Sequence, residues 1–364
     1  MTSEPQPLHL ALEVDGEGAH PSAWRASGRP PSDVLGPRAL RDTVLRAEAG
    51  GFTLVTYDDS PLPPGAGDGA AGRLEAVGRA AHSSPSTDRI GLAPTAHTTT
   101  TEPFHLAAQL ASLDHVSNGR AGWVVGATDD TAARRTVGAA APVVPDGLRQ
   151  EVVDVVEVVR ALWDSWEDDA VIKDVPTGRY LDPDRVHHVD FEGSSFSVKG
   201  PLITPRPPQG QVVVLAADSL GIARHVDVVL AEGSGIEALR ERAERAREAG
   251  APLVFAEVEV LLDARQSAVE RLSTLDRATP WAPSGRFRHV GSPEDLVRSL
   301  LRLATVVDGV RLHPAVLTAD LPVLVDRVLP ALASAGVHRP PRPGGTLRSS
   351  LGLPRPANRF ATTS

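Results

Sequence analysis

Residues 89–127 read RIGLAPTAHTTTTEPFHLAAQLASLDHVSNGRAGWVVGA, and four physical signals follow one another along them. Arg89 to Thr95 is a short apolar run of strand character. Thr101 or Glu102 can cap a helix whose first turn holds Pro103. Phe104, Ala107, Ala108, Leu110, Ala111 and Leu113 give that helix an apolar face. Asn118-Gly119 ends it, because both residues tolerate positive φ. Ala121 to Ala127 is then a second strand. Strand, helix, tight turn and strand make a βαβ unit, the connection that parallel strands require.

The same alternation runs outward in both directions. Leu8 to Val14 reads as a strand, followed by a Gly/Pro/Ser-rich loop from Asp15 to Gly36. Residues 37–49 suit a helix stopped by Gly50-Gly51. Phe52 to Tyr57 is a strand, 61–71 a Pro/Gly/Ala loop and 72–82 a helix. Beyond the unit, 149–163 (RQEVVDVVEVVRALW) is a Val-rich helix. Residues 164–210 break the rhythm with Pro, Gly and charge and read as an insertion. Strands follow at Gln211–Ala216, Val226–Ala231, Pro252–Leu262 and Val306–Leu312, with helices at 236–249 and 318–335. Eight strands alternating with helices predict an α/β fold, a (β/α)₈ TIM barrel. It occupies 1–338 as one domain, with the insertion after strand four. The Pro/Arg-rich stretch 339–364 is an extension packing on the barrel. A doubly wound open sheet is the alternative, and the lack of Gly-x-Gly-x-x-Gly after the first strand counts against it.

Composition narrows the function. The 364 residues carry a net charge of −9 with no basic stripe, which argues against nucleic-acid binding. There is no cysteine, so disulfides, thiolate metal sites and a Cys nucleophile are excluded. The N-terminus lacks the pattern of a signal peptide, and no run of about 20 apolar residues is present. The expectation is a cytoplasmic protein away from membranes.

In a barrel of this kind, chemistry sits at the C-terminal strand ends. Those ends carry His20 and Trp24 after strand one, then Asp58, Asp59 and Ser60 after strand two. Thr95, His97 and Thr98 follow strand three, and Thr128, Asp129 and Asp130 follow strand four. Asp218 and Ser219 follow strand five, and His313 ends strand eight. His105 and His115 lie on a helix and read as packing or surface residues. His187 and His188 are adjacent, so in a strand they point opposite ways. No third ligand stands at useful spacing, and no metal is expected. A Gly-x-Ser-x-Gly elbow is absent, which counts against a hydrolase.

The stretch 89–123 resembles the signature of bacterial-luciferase-like flavin monooxygenases, most closely the nitrilotriacetate and dibenzothiophene-sulfone monooxygenase branch. GAHPSAWR (18–25), LVTYDDS (54–60), ALWDSWEDDA (161–170), DFEGSSFSVKGPLITPRPPQGQ (190–211) and TLRSSLGLPRPANR (346–359) fit it in order. The resemblance implies a barrel that binds FMN at the strand C-termini. The flavin arrives reduced, from a separate NAD(P)H-dependent flavin reductase, and activates O₂ to oxidise a small, fairly apolar organic substrate. The protein must orient the flavin, exclude water and supply acid–base groups.

Residue by residue, the resemblance places Asp59 near the isoalloxazine and Thr98 at a hydroxyl position after strand three. Ser219, with Leu220 and Gly221, belongs to the phosphate loop. His20 and His313 lie over the reactive face, His20 on a loop able to close over substrate. They are the candidate proton donors or acceptors, at an ordinary histidine pKa of about 6.5. Trp24 and His97 are assigned to substrate. Three positions depart from the family pattern. Val124 stands where many relatives have Asn and cannot make the amide's hydrogen bonds. Leu148-Arg149-Gln150 stands where many have a tyrosine. Asp218 stands in the phosphate loop, where a carboxylate repels the phosphate, so a cation must compensate. Arg149 is the first candidate, with Arg134 or Arg135 behind it. Two other readings stay open: a deazaflavin-dependent hydride-transfer oxidoreductase, and a non-catalytic barrel that binds a ligand or partner subunit. The Val-rich helix 149–163 and the family habit of pairing barrels suggest a homodimer.

Overall fold

The structure, a computed structural model, describes residues 7–30, 33, 35–62, 72–138 and 145–361. Most of the loop expected at 61–71 lies outside them. Eight strands form the frame: β1 (His9–Glu13), β2 (Leu54–Tyr57), β3 (Gly91–His97), β4 (Gly122–Gly126), β5 (Val213–Ala217), β6 (Val228–Ala231), β7 (Leu253–Leu262) and β8 (Gly309–Pro314). Each pairs in parallel with the next, and β8 pairs with β1, so the ring closes. This is the (β/α)₈ barrel that the alternation predicts.

Helices Pro37–Gly50, Ala76–Ser83, Pro103–Val116, Pro145–Asp164, Ile236–Glu248 and Pro293–Leu303 follow strands in turn. Leu317–Val323, a π-turn segment and Leu329–Ser334 close the chain of helices. The alternation fails at one place. Between β5 and β6 stand only two 3₁₀ turns, Asp218–Leu220 and Ala223–His225, because that connection is too short for a helix and its two turns. Between β7 and β8 the sequence reading is silent. There the chain adds a helix, Ala268–Asp276, and a ninth strand, Phe287–Gly291, paired with the end of β7.

Strand side chains alternate between two faces, so two cores form. Outward residues such as Leu10, Leu12, Val55, Leu92, Trp123, Val214 and Leu312 pack under the helices. Inward residues Ala11, Leu54, Ala93, Val124, Val213, Leu215, Val228, Leu230 and Phe255 fill the barrel interior. Leu347 and Leu351 of the C-terminal stretch join that inner cluster, so the tail closes the bottom of the barrel. Its Arg348 pairs with Asp227 at 3.0 Å, and Arg355 reaches Asp168 at 2.6 Å. The insertion forms two small hairpins, Val171–Asp174 with Arg179–Leu181 and Phe191–Glu192 with Ser197–Val198. Arg206 ties it to Asp164 at 2.8 Å.

Asp114, Asn118 and Arg120 of the stretch 89–127 are structural. Asp114 is buried at the end of its helix. Its carboxylate accepts from the Ala121 N–H at 3.1 Å and the Gln209 amide at 2.6 Å. Asn118 and Gly119 take φ of 55° and 82°, and a Cβ on Gly119 would lie 2.8 Å from Thr346 Cγ2. Arg120, also buried, donates to Ser117 O, Ile90 O, Ser84 O, Thr87 O and the Thr87 hydroxyl. All of this lies at the N-terminal end of β3 and β4, the face of such a barrel concerned with stability. His105 is exposed, and so is His115, bonded to Pro205 O. No described helix is long and apolar enough to cross a membrane.

Arg120→Leu removes the guanidinium donors from the Ser117, Ile90 and Thr87 carbonyls, while Ser84 O keeps the Thr87 N–H. It should cost about 3 kcal/mol or more of stability, read as a lower midpoint in chemical denaturation. A midpoint equal to wild type would show that water satisfies those carbonyls.

Candidate active site

Two glutamates interrupt the apolar run FAEVEVLL (255–262) at alternate positions, so both point into the barrel with Phe255 below them. The same alternation in GVRLHP (309–314) turns Arg311 and His313 inward. Register sets Glu257 beside Arg311 and Glu259 beside His313. The Arg311 fork takes both oxygens of Glu257, at 2.6 and 3.1 Å, and His313 Nε2 donates to the same carboxylate. Arg288 pairs with Glu259 at 2.6 Å. On the other side Glu13, inward at the end of β1, accepts from the Thr56 hydroxyl at 2.8 Å and the Asp58 N–H at 3.0 Å. The upper barrel is therefore charged on the side of β1, β2, β7 and β8. It is apolar on the side of β4 to β6, where Val124, Leu215 and Leu230 face inward.

Burial alone would raise the Glu257 carboxyl. Arg311, then His313 and Arg286, outweigh it and hold Glu257 below the ordinary carboxylate range. Burial lowers His313 to about 4 despite the pull of Glu257, so His313 is a neutral imidazole at pH 7. That corrects its expected ordinary pKa. Burial raises Glu13 to about 8; Arg311 opposes this, while Asp58 and Asp15 add to it.

His20 does not ride on a free loop. Ala19 and His20 N–H groups bond to Pro314 O and Ala315 O at 2.8 and 3.1 Å. A Cβ on Gly18 would lie 2.5 Å from Ala315 O. The His20 ring is buried, with Nε2 on Asp276 at 3.1 Å and Nδ1 accepting from Ser22 N–H at 3.0 Å. Burial lowers its pKa, against the raising effect of Asp276. Both ring nitrogens are committed to holding the loop. The Trp24 ring is covered by the Arg25 guanidinium at 4.3 Å and lies on the short helix Ala23–Ala26.

The remaining candidates gather at the ends of β2 to β5. Asp59 accepts from Ser60 and Ala76 N–H groups, both at 2.8 Å. It shares a cavity of about 490 Å³ with Thr95, His97, Arg73 and Gln109. His97 Nε2 donates to Asp59 O at 3.2 Å, and its Nδ1 is buried with no partner among the described residues. The ring lies on Gly126, where a Cβ would stand 2.8 Å from Nδ1. Thr98 is buried and donates its hydroxyl to Gly126 O at 3.1 Å. A second cavity, of about 250 Å³, is lined by Glu13, Asp15, Asp58, Arg286, Arg311 and His313.

Ser219 and Gly221 are exposed at the end of β5, and Gly221 has φ of 65°. Arg149 comes to this turn: its guanidinium lies 3.6–3.8 Å from the Cβ position of Gly221. Asp218 turns to Arg242 at 2.6 Å, a partner the sequence did not indicate. Arg134 is buried against Glu151 at 2.7 Å and is not free to serve as the reserve cation, while Arg135 is exposed. Among the described residues no group of three or more His, Cys, Asp or Glu side chains is arranged to hold a metal.

The luciferase-like monooxygenase family matches residues 19–299. N-acetyl-S-(2-succino)cysteine monooxygenase of Bacillus subtilis (strain 168) is 28% identical, over 99% of this chain and 100% of that one. Dibenzothiophene-sulfone monooxygenase of Rhodococcus erythropolis (strain XP) is 28% identical, over 97% and 98%. A riboflavin lyase solved with modified FMN and riboflavin superposes with a TM-score of 0.84 at 24% identity, covering 96% of each chain. The chain belongs to the luciferase-like monooxygenase family. It is an oxidoreductase of the monooxygenase type, in preference to the deazaflavin and non-catalytic alternatives.

Glu257→Gln would leave the buried Arg311 charge without its counter-ion. It should cost about 3–5 kcal/mol, seen in denaturant unfolding at pH 7. Adding Arg311→Met should recover most of the loss, since it removes the stranded charge. A neutral single variant would show that Arg311 finds another anion.

Proposed function

We infer that the chain binds FMN across the C-terminal mouth of the barrel and uses it, in reduced form, to oxidise a small organic substrate with O₂. One observation supports this above the others. Arg149 makes no hydrogen bond or ion pair among the described residues, yet its guanidinium stands against the Gly221 turn. A planar fork beside a glycine turn suits a phosphate, which can take two charge-assisted hydrogen bonds from it. The repulsion expected from Asp218 is offset by Arg242, which holds that carboxylate.

In this reading Arg149 and the backbone of Ser219, Leu220 and Gly221 hold the phosphate. The apolar inward face at Val124 lies under the ring, and Asp59 and Thr98 stand at its edge. When bound, the reduced flavin supplies the activation of oxygen. The chain's own part is to orient, to exclude water and to manage protons. The substrate lies toward the cavities that His97 and His313 line. His313 serves as a neutral hydrogen-bonding group there, its Nε2 proton fixed on Glu257. His20 keeps the loop after β1 in place, and Trp24 belongs to that same loop.

The wider proposal keeps a separate NAD(P)H-dependent flavin reductase as the source of reduced FMN, a cytoplasmic setting and a homodimer. The Val-rich helix does not itself support pairing. Val152, Val155, Val156, Val158 and Val159 are all buried within this chain.

Arg149→Ala should weaken FMN binding by about 1–3 kcal/mol, roughly 5- to 150-fold in Kd. The measurement is anaerobic fluorescence titration with oxidised and reduced FMN. Asp218→Ser should leave the affinity near wild type. Unchanged affinity in Arg149→Ala would place the phosphate elsewhere.

A further inference from the structure

Glu13 has no role in the family resemblance, and no sequence signal singled it out. It closes β1 and points into the upper barrel, where register pairs it with Thr56. Its side chain is only 12% exposed, and it faces the cavity of about 250 Å³. Its two hydrogen bonds come from neutral donors, the Thr56 hydroxyl and the Asp58 N–H. The nearest cation is Arg311 Nη1 at 3.7 Å, beyond hydrogen-bond reach. Arg311 is thus a distant ion partner of Glu13, its fork held bidentately by Glu257.

Among the described residues no other group forms an ion pair with Glu13. On its own segment, Asp15 is a second carboxylate, itself paired to Arg79 at 2.8 Å and Arg73 at 3.2 Å. Beyond β2, Asp58 brings a third acid to the cavity wall. From β8, His313 turns its Nε2 proton to Glu257. Arg286, before the added strand, stands 3.6 Å from Glu257 and 3.9 Å from Glu259. Burial and the acidic neighbours Asp58 and Asp15 favour the protonated form of Glu13, against the field of Arg311 and the hydrogen bond from Thr56.

We propose that Glu13 is the acid of the barrel mouth, donating a proton to the species bound in the cavity it shares with His313. The proposal rests on the monooxygenase reading for its chemistry. In the step, the Glu13 O–H bond breaks and an O–H bond forms on a bound oxygen atom that is gaining negative charge. The carboxylate left behind keeps its bonds from Thr56 and the Asp58 N–H, and lies in the field of Arg311. It regains a proton from solvent through the cavity, so no further reactant is required. The burial-raised pKa of about 8 agrees with this assignment. The two histidines are worse placed for it. His20 has both nitrogens engaged, and His313 is neutral with its Nε2 proton committed.

The experiment has two parts. The first is ¹³C NMR of the full-length protein labelled at glutamate side-chain carboxyls, with Glu13→Gln identifying the signal. Glu13 should titrate above pH 7; titration near pH 4–5, in the usual glutamate range, would overturn the proposal. The second is oxygen consumption with chemically reduced FMN against pH. The wild-type rate should fall as pH rises through the Glu13 pKa. Glu13→Gln should lose that limb and about 100-fold or more in rate, with FMN affinity unchanged, and Glu13→Asp should restore a shifted limb. A Glu13→Gln profile that overlays wild type would overturn the role. Failure of wild type to bind FMN would instead sink the cofactor reading, and the NMR titration would still decide the state of Glu13.

Discussion

The bidentate pair between Arg311 and Glu257 sits inside a closed ring of strands, and the upper half of the barrel is arranged around it. Two charges taken out of water cost several kcal/mol each, and a buried pair rarely repays this beyond what apolar residues of the same volume would give. The pair is therefore better understood by what it fixes than by stability. It holds the Glu257 carboxylate ionised and gives His313 its hydrogen-bond acceptor. It also leaves Arg311 Nη1 3.7 Å from Glu13, without a hydrogen bond to it. Strand alternation carries the arrangement, since a one-residue slip in β7 or β8 would send these side chains into the helix layer.

Below that layer the barrel is conventional. Small and branched residues from β1 to β7 fill it, and the tail covers its base through Leu347 and Leu351. The end of the helix and its turn, 114–120, belong to this lower half. Asp114, Asn118, Gly119 and Arg120 join the helix, the strand base and the tail. Sequence features that mark family membership most strongly are here devices of folding. The charged side of the barrel mouth is built from Glu13, Glu257, Glu259 and Arg311, which those motifs do not include.

All eight barrel strands were legible in the sequence, because Val- and Leu-rich runs bounded by Gly, Pro and Asp signal buried parallel strands. Between β5 and β6, where the sequence names no helix, the chain makes only two 3₁₀ turns. The ninth strand was missed: FRHVG carries two charged or titratable residues and pairs only at the end of β7. Of the site, the polar strand ends were legible as positions, but their partners were not. Nothing in GAHPSAWR tells that Asp276, far along the chain, engages the His20 ring. Nothing near Asp218 tells that Arg242 answers its charge. Glu13, Glu257, Glu259 and Arg311 lay inside strands, not after them, so a search of strand ends passed over them. Charged residues at alternate positions in an apolar run were the signal that would have found them.

The account's central claim is that the cofactor lies across the mouth, its phosphate at the β5 end and its ring reaching toward the charged side of the barrel. A crystal structure of the chain with FMN bound tests this most directly. The account predicts phosphate density between the Arg149 guanidinium and the Gly221 turn, with the ring over Val124. Phosphate density held by other residues, or flavin bound outside the barrel mouth, would contradict it.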